Sequence, residues 1–200
     1  IHGPAGSNRV VFTFIPRSIP FARVAVCDAV ETTAAAGLLL AAQLSSFPHI
    51  NTRILEARTG PLQIGQADGL SCRSVETFEA FDFAERIVKE AYWVNETVFW
   101  RPDETNRKNI VRTGRIQDVE DNLSEFPHII VNQARVHDFF LEFMEKSPSR
   151  LAVDYGHQIV NVEVTGEGTH PVTATVLKAD GTEITVKAKY VVGTDGAKSV

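Results

Sequence analysis

The chain has 200 residues, 44% of them hydrophobic and 22% charged, with a net charge of −5. That length buries a core easily, and that composition is ordinary for a globular protein. The acidic balance argues against a nucleic-acid partner, no apolar run reaches bilayer length, and two cysteines, Cys27 and Cys72, are too few for a disulfide framework. The expected setting is the reducing cytoplasm, away from membranes.

Residues 1–23 carry Pro16 and Pro20 among weakly alternating apolar positions. They read as irregular or edge-strand material without a signal-peptide layout. No methionine begins the chain, so a fragment is expected. Residues 24–27 form a strand candidate and residues 34–44 a strong helix former; "NTRILEA" follows as a second strand after a break at Pro48. That order predicts a β-α-β unit and hence a parallel sheet. "GPLQIGQADGLSCRSVE" reads as a loop with a helix starting near Ser74. In "RSVETFEAFDFAERIVKEA" the spacing of Val75, Phe78, Phe81, Ile87 and Val88 predicts one or two amphipathic helices. From about residue 92 the pattern turns β-rich: "YWVNETVFW" alternates and "HIIVNQ" is a short strand candidate. "ARVHDFFLEFMEK" then gives a helical apolar face. "PVTATVLKADGTEITVKAKYVV" predicts a hairpin around Asp180-Gly181, a favoured turn pair. The fold class expected is α/β with an antiparallel insertion.

Several positions could carry chemistry. A dinucleotide turn needs G-x-G-x-x-G between strand and helix, for a tight turn, close approach of the pyrophosphate, and helix–strand packing. Counted back from Gly37, those positions are Thr32, Ala34 and Gly37, so one glycine of three is present. Glu56 lies 19 residues after Gly37, where an acid would bind a ribose hydroxyl. Taken alone, an alanine-rich core helix and a surface glutamate account for the same residues. Asp68 before Gly69 is either a turn former or a pocket carboxylate able to accept a proton. Arg73 is either a surface arginine or a phosphate contact. The six histidines show no metal-ligand spacing, no G-x-S-x-G occurs, and Cys72 reads as an inert thiol, so no metal site is expected. "YVVGTDGAKS" runs a strand into a glycine loop where Asp195 is either a turn residue or a carboxylate for a polyol.

Together "GLLLAAQLS", "INTRILEARTG", "GQADGLSCRSVETFEAFDFAERI", "EAYWVNETVFWRPD", "LSEFPHIIVNQARVHDFFLEFM" and "KYVVGTDGAKSV" resemble, in order, the flavin-dependent aromatic hydroxylases. The resemblance is to the branch of phenol 2-monooxygenase and 3-hydroxybenzoate 4-monooxygenase, over residues 36–200. It implies an FAD-binding Rossmann-like sheet followed by the start of a substrate-binding region. It also implies FAD and NADPH as cofactors, with O2 and a phenolic aromatic as substrates. By resemblance Gly37 takes the packing role in the FAD turn, Glu56 holds the adenosine ribose, and Arg73 lies near the flavin phosphates. Gln133 would contact the FAD chain, and Asp195 the ribityl hydroxyls. Asp68 matches the aspartate that helps deprotonate the phenol, and His128 a histidine near the substrate carboxylate.

Residues 1–35 do not match the family and are expected to be an atypical first segment, so that 36–200 form a partial FAD-binding domain. The remaining substrate sheet, a second flavin motif and a C-terminal region through which the family forms homodimers are expected beyond Val200. This chain alone is then expected to bind FAD poorly and not to turn over. The alternatives are a related flavoprotein of another reaction class, or an inactive, partner-binding α/β remnant.

Overall fold

A computed structural model describes residues 23–28, 34–65, 67–166 and 168–194. Asp195 therefore lies outside the described residues. The chain divides into two compact units, Ile1–Gln66 with His137–Val200, and Ala67–Val136.

The first unit opens with β1 (Arg23–Asp28), α1 (Ala34–Ser45) and β2 (Asn51–Glu56). β1 and β2 pair in parallel from Arg23↔Asn51 to Asp28↔Glu56, so α1 is the crossover of a β-α-β unit. The strand at residues 24–27 is thus the one used. In α1, Leu38, Ala41, Ala42 and Ser45 are buried, a spacing that puts them on one helical stripe. The buried Ser45 hydroxyl donates to the Ala42 carbonyl at 2.7 Å. Gly37 is buried in the first turn of this helix.

The second unit holds β3 (Gly69–Leu70), α2 (Cys72–Glu79), α3 (Ala84–Glu90), β4 (Tyr92–Val94), β5 (Glu96–Pro102), β6 (Ile110–Gln117) and β7 (His128–Ile130). Two helices form instead of one because Asp82 takes a φ of 59° and turns the chain between them. The turn is packed by Phe78 stacked on Phe83, ring centroids 4.9 Å apart. Val75, Phe81, Ile87 and Ile129 complete this small core. "YWVNETVFW" splits at Asn95: β4 joins the antiparallel sheet β3-β7-β4, and β5 pairs with β6 as a separate ribbon.

The chain returns to the first unit within α4 (Gln133–Lys146), which leads to β8 (Val153–Tyr155), β9 (His157–Val164), β10 (Val172–Lys178), β11 (Glu183–Ala188) and β12 (Tyr190–Gly193). β8 adds to β2 and β12 to β1, both in parallel, giving the order β12-β1-β2-β8. The hairpin of β10 and β11 turns at Gly181, φ 81°, and with β9 makes a three-stranded antiparallel sheet. The first unit is thus a parallel α/β sheet with an antiparallel insertion.

Candidate functional site

Open parallel sheets bind ligands outside the carboxyl ends of their strands. At that edge Glu56 ends β2, with Asp28 beside it on β1 and Tyr155 on β8. Glu56 is 6% exposed, and its Oε1 accepts the Arg58 backbone N–H at 2.8 Å. Burial pushes the carboxyl above its ordinary range, against the opposing pull of the Arg58 N–H and guanidinium. A cleft here is lined by Glu56, Arg58, His137 and Tyr155 over an apolar floor that includes Leu38 and Ile54. It leaves about 20 Å³, room for one hydroxyl or water rather than a whole sugar.

His137 was not singled out by sequence beyond its lack of metal spacing. It is 4% exposed, and its Nε2 has no hydrogen-bond partner among the described residues. Burial, and after it the Arg58 charge, lowers the imidazole from 6.5 to about 4. The ring is therefore neutral at physiological pH, with one donor and one acceptor nitrogen. Its position inside an apolar helical run masked it, since nothing in that pattern distinguishes a buried ligand contact from core filling.

These residues fit the adenosine end of FAD. A buried carboxylate at a strand edge is the kind of group that would accept from a ribose hydroxyl, and the cleft has room for one hydroxyl. Residues 29–33, where the pyrophosphate turn would stand, are outside the described residues.

In the second unit Asp68 is exposed and immediately precedes β3. Its carbonyl accepts the Val131 N–H at 2.9 Å, extending the β3–β7 pairing by one position. Asp68 thus stands at a sheet end with its side chain exposed. On β7, His128 Nδ1 lies 2.6 Å from Asp118 Oδ2. A Cβ added at Gly69 would stand 3.4 Å from His128 Nε2, so the glycine lies close beside this ring nitrogen. The sheet brings Asp68 and His128 to neighbouring strands without pairing their side chains. Asp118 was missed in the sequence because a lone aspartate in a polar stretch carries no periodic signal. A groove of about 580 Å³ lies alongside, lined in part by Gln117 and Val119 on either side of Asp118 and by Pro127 next to His128. Arg73 is exposed in the first turn of α2, and Gln133 is half-buried at the start of α4. Among the described residues no group of three or more His, Cys, Asp or Glu side chains is placed to hold a metal ion. No helix among them is long and apolar enough to cross a membrane.

Known proteins show the same layout. Over 169 residues the chain is 53% identical to the 3-hydroxybenzoate 4-monooxygenase of Comamonas testosteroni, a match covering 82% of this chain and 26% of that protein. It is 41% identical over 170 residues to the FAD-dependent monooxygenase terD of Aspergillus terreus, covering 82% of this chain and 27% of the relative. The chain therefore spans about a quarter of the length of these curated relatives. The solved structure of p-nitrophenol 4-monooxygenase PnpA from Pseudomonas putida DLL-E4 is similar with a TM-score of 0.71. That match covers 91% of this chain and 43% of PnpA at 19% identity. The flavin-dependent monooxygenase PieE, solved with FAD and substrate, gives a TM-score of 0.70, covering 90% of this chain and 31% of its own at 21% identity. At those identities the likeness is one of fold. Residues 33–200 match the family described as FAD binding domain. A parallel β-α-β sheet with an acid at the end of its second strand, an antiparallel insertion, and that match over most of its length place this chain in the FAD binding domain family.

Proposed function

We propose that the protein of which this chain forms part is an FAD- and NADPH-dependent monooxygenase that hydroxylates a phenolic aromatic compound with O2. The observation that carries this reading is the 53% identity to a 3-hydroxybenzoate 4-monooxygenase. When bound, FAD supplies the redox chemistry, taking electrons from NADPH and activating dioxygen.

The chain's own residues have simpler tasks. Glu56 accepts a hydrogen bond from the adenosine ribose. Gly37 allows close packing at the cofactor turn, Arg73 neutralises phosphate charge, and Gln133 and Asp195 hydrogen-bond elsewhere along the cofactor. Asp68 accepts the phenolic proton, because a phenolate ring is far richer in electrons than a phenol and is attacked faster by an electrophilic oxygen. His128, its ring held by Asp118 through Nδ1, directs Nε2 past Gly69 to the substrate carboxylate. Asp68 and His128 then act on different ends of one substrate, in keeping with side chains that are not paired. The residues ahead of the family match are, on this reading, atypical of the family in sequence, although β1 pairs in its sheet; the sequence of the transcript upstream of Ala36 tests that.

The activity is tested on the full-length protein by oxygen uptake and NADPH oxidation with phenol and 3-hydroxybenzoate, with chromatography of the product. Expected are phenol-stimulated NADPH oxidation and a product one oxygen heavier. Asp68→Asn should lower kcat by about 10²-fold, the usual contribution of a positioned base. NADPH oxidation that no phenol stimulates would sink the hydroxylase in favour of another flavoprotein reaction.

A further inference from the structure

The cleft at the end of β2 is lined by the polar side chains of Glu56, Arg58, His137 and Tyr155, and of these only Glu56 has a role on the ligand in the reading above. His137 stands opposite in chemical character: a neutral ring, more than nine-tenths buried, whose Nε2 has no partner among the described residues. Leaving such a nitrogen without a partner forfeits its hydration with nothing in return, so its retention in a core calls for something that bonds to it. The remaining space, about 20 Å³, is the size of one hydroxyl group. A hydroxyl has one proton to give and lone pairs to accept with. The Glu56 carboxylate can only accept, and a neutral histidine protonated on Nε2 can donate.

We propose that His137 is a second ribose-binding residue: its Nε2–H donates to the same ribose hydroxyl of FAD whose proton goes to Glu56. The inference rests on the FAD reading above. The pair forms an acceptor and a donor on either side of one hydroxyl. Arg58 takes part through its backbone, which orients Glu56 through the 2.8 Å bond to Oε1. A ligand without that hydroxyl would leave His137 Nε2 without a partner, while Glu56 keeps the Arg58 N–H.

The test is FAD binding to the apo form of the full-length protein, followed by flavin fluorescence, beside the thermal stability of the apoprotein. His137→Leu should weaken FAD binding about fivefold to tenfold, one hydrogen bond's worth. The same change should leave apoprotein stability equal or higher, because it removes the orphaned nitrogen. His137→Gln, which keeps a donor, should bind FAD more tightly than the leucine variant. Combined with Glu56→Gln, the losses should be less than additive, since both act on one hydroxyl. NADPH binding, measured in parallel, should not change. FAD affinity in His137→Leu within twofold of wild type, or an effect confined to NADPH, would overturn the role of His137. A wild-type apoprotein that binds no FAD would instead overturn the cofactor reading along with it.

Discussion

At the residue scale, burial decides the chemistry of both groups at the strand edge. Glu56 and His137 share one cleft, yet burial moves them in opposite senses, the acid up and the base down, since it disfavours charge in each. The stability consequence of His137 has a definite sign. Its native pKa of about 4 lies below the ordinary 6.5, so the unfolded chain binds more protons between those values. Its contribution is complete above pH 6.5 and fades as pH falls through 4, by up to about 3 kcal/mol. The charged groups it feels, Arg58 and Asp138, oppose one another, Arg58 more strongly. Urea unfolding at pH 7 and pH 5 should show a loss of stability in the wild-type protein that is smaller in His137→Gln. Equal losses in both would assign the acid sensitivity to other groups. Glu56 was legible as a candidate from its spacing to Gly37 and its place after an apolar strand. Its partner in the cleft was not, because contact between α4 and the end of β2 spans about eighty residues of sequence.

At the element scale, local patterns read well where they are strong. The β-α-β start follows from two apolar strands around an alanine-rich helix, and the β10–β11 hairpin from Asp180-Gly181. Its turn is closed by Lys178 N–H to the Thr182 carbonyl at 2.9 Å and by Thr182 N–H to Asp180 Oδ1 at 2.9 Å. Where side chains do not alternate, strands were not foreseen. β6 reads IVRTGRIQ and is exposed along almost all its length, so only pairing with β5 makes it a strand. β8 is three residues long and owes its place to β2. The link from β8 to β9 depends on Gly156, whose φ is 67° and whose position would put a Cβ 3.1 Å from that of Ala179. Its N–H donates to the Arg58 carbonyl at 2.7 Å and its carbonyl accepts from Ala179 at 2.8 Å. Gly156→Ala should therefore destabilise the first unit by about 1–3 kcal/mol, through left-handed backbone strain and overpacking. A lowered urea midpoint is the expected result; an unchanged one would mean the turn can relax.

At the scale of the whole molecule, the chain builds one unit from its two ends and the other from its middle. The second unit leaves a large apolar surface on the β5–β6 ribbon. Trp100 is 62% and Ile110 70% exposed, and the pairing of Pro102 with Ile110 sets both on one face of the ribbon. Exposed apolar patches of this kind bind dyes and promote association. Replacing both by serine should reduce fluorescence of an apolar dye and self-association, while the unfolding free energy stays within about 0.5 kcal/mol. A marked fall in stability would show that the two side chains are packed rather than exposed.

The sequence alone determined what depends on neighbours along the chain: the α/β class, the parallel start, the hairpin turn, and the family resemblance carried by ordered motifs. Helical and strand periodicities and turn residues encode these over a few residues. Only the tertiary structure decided which polar groups face one another. It set His137 in the cleft with Glu56 and braced His128 with Asp118. Such pairings depend on strand register and helix docking across long separations, where one residue of shift turns a side chain to the opposite face.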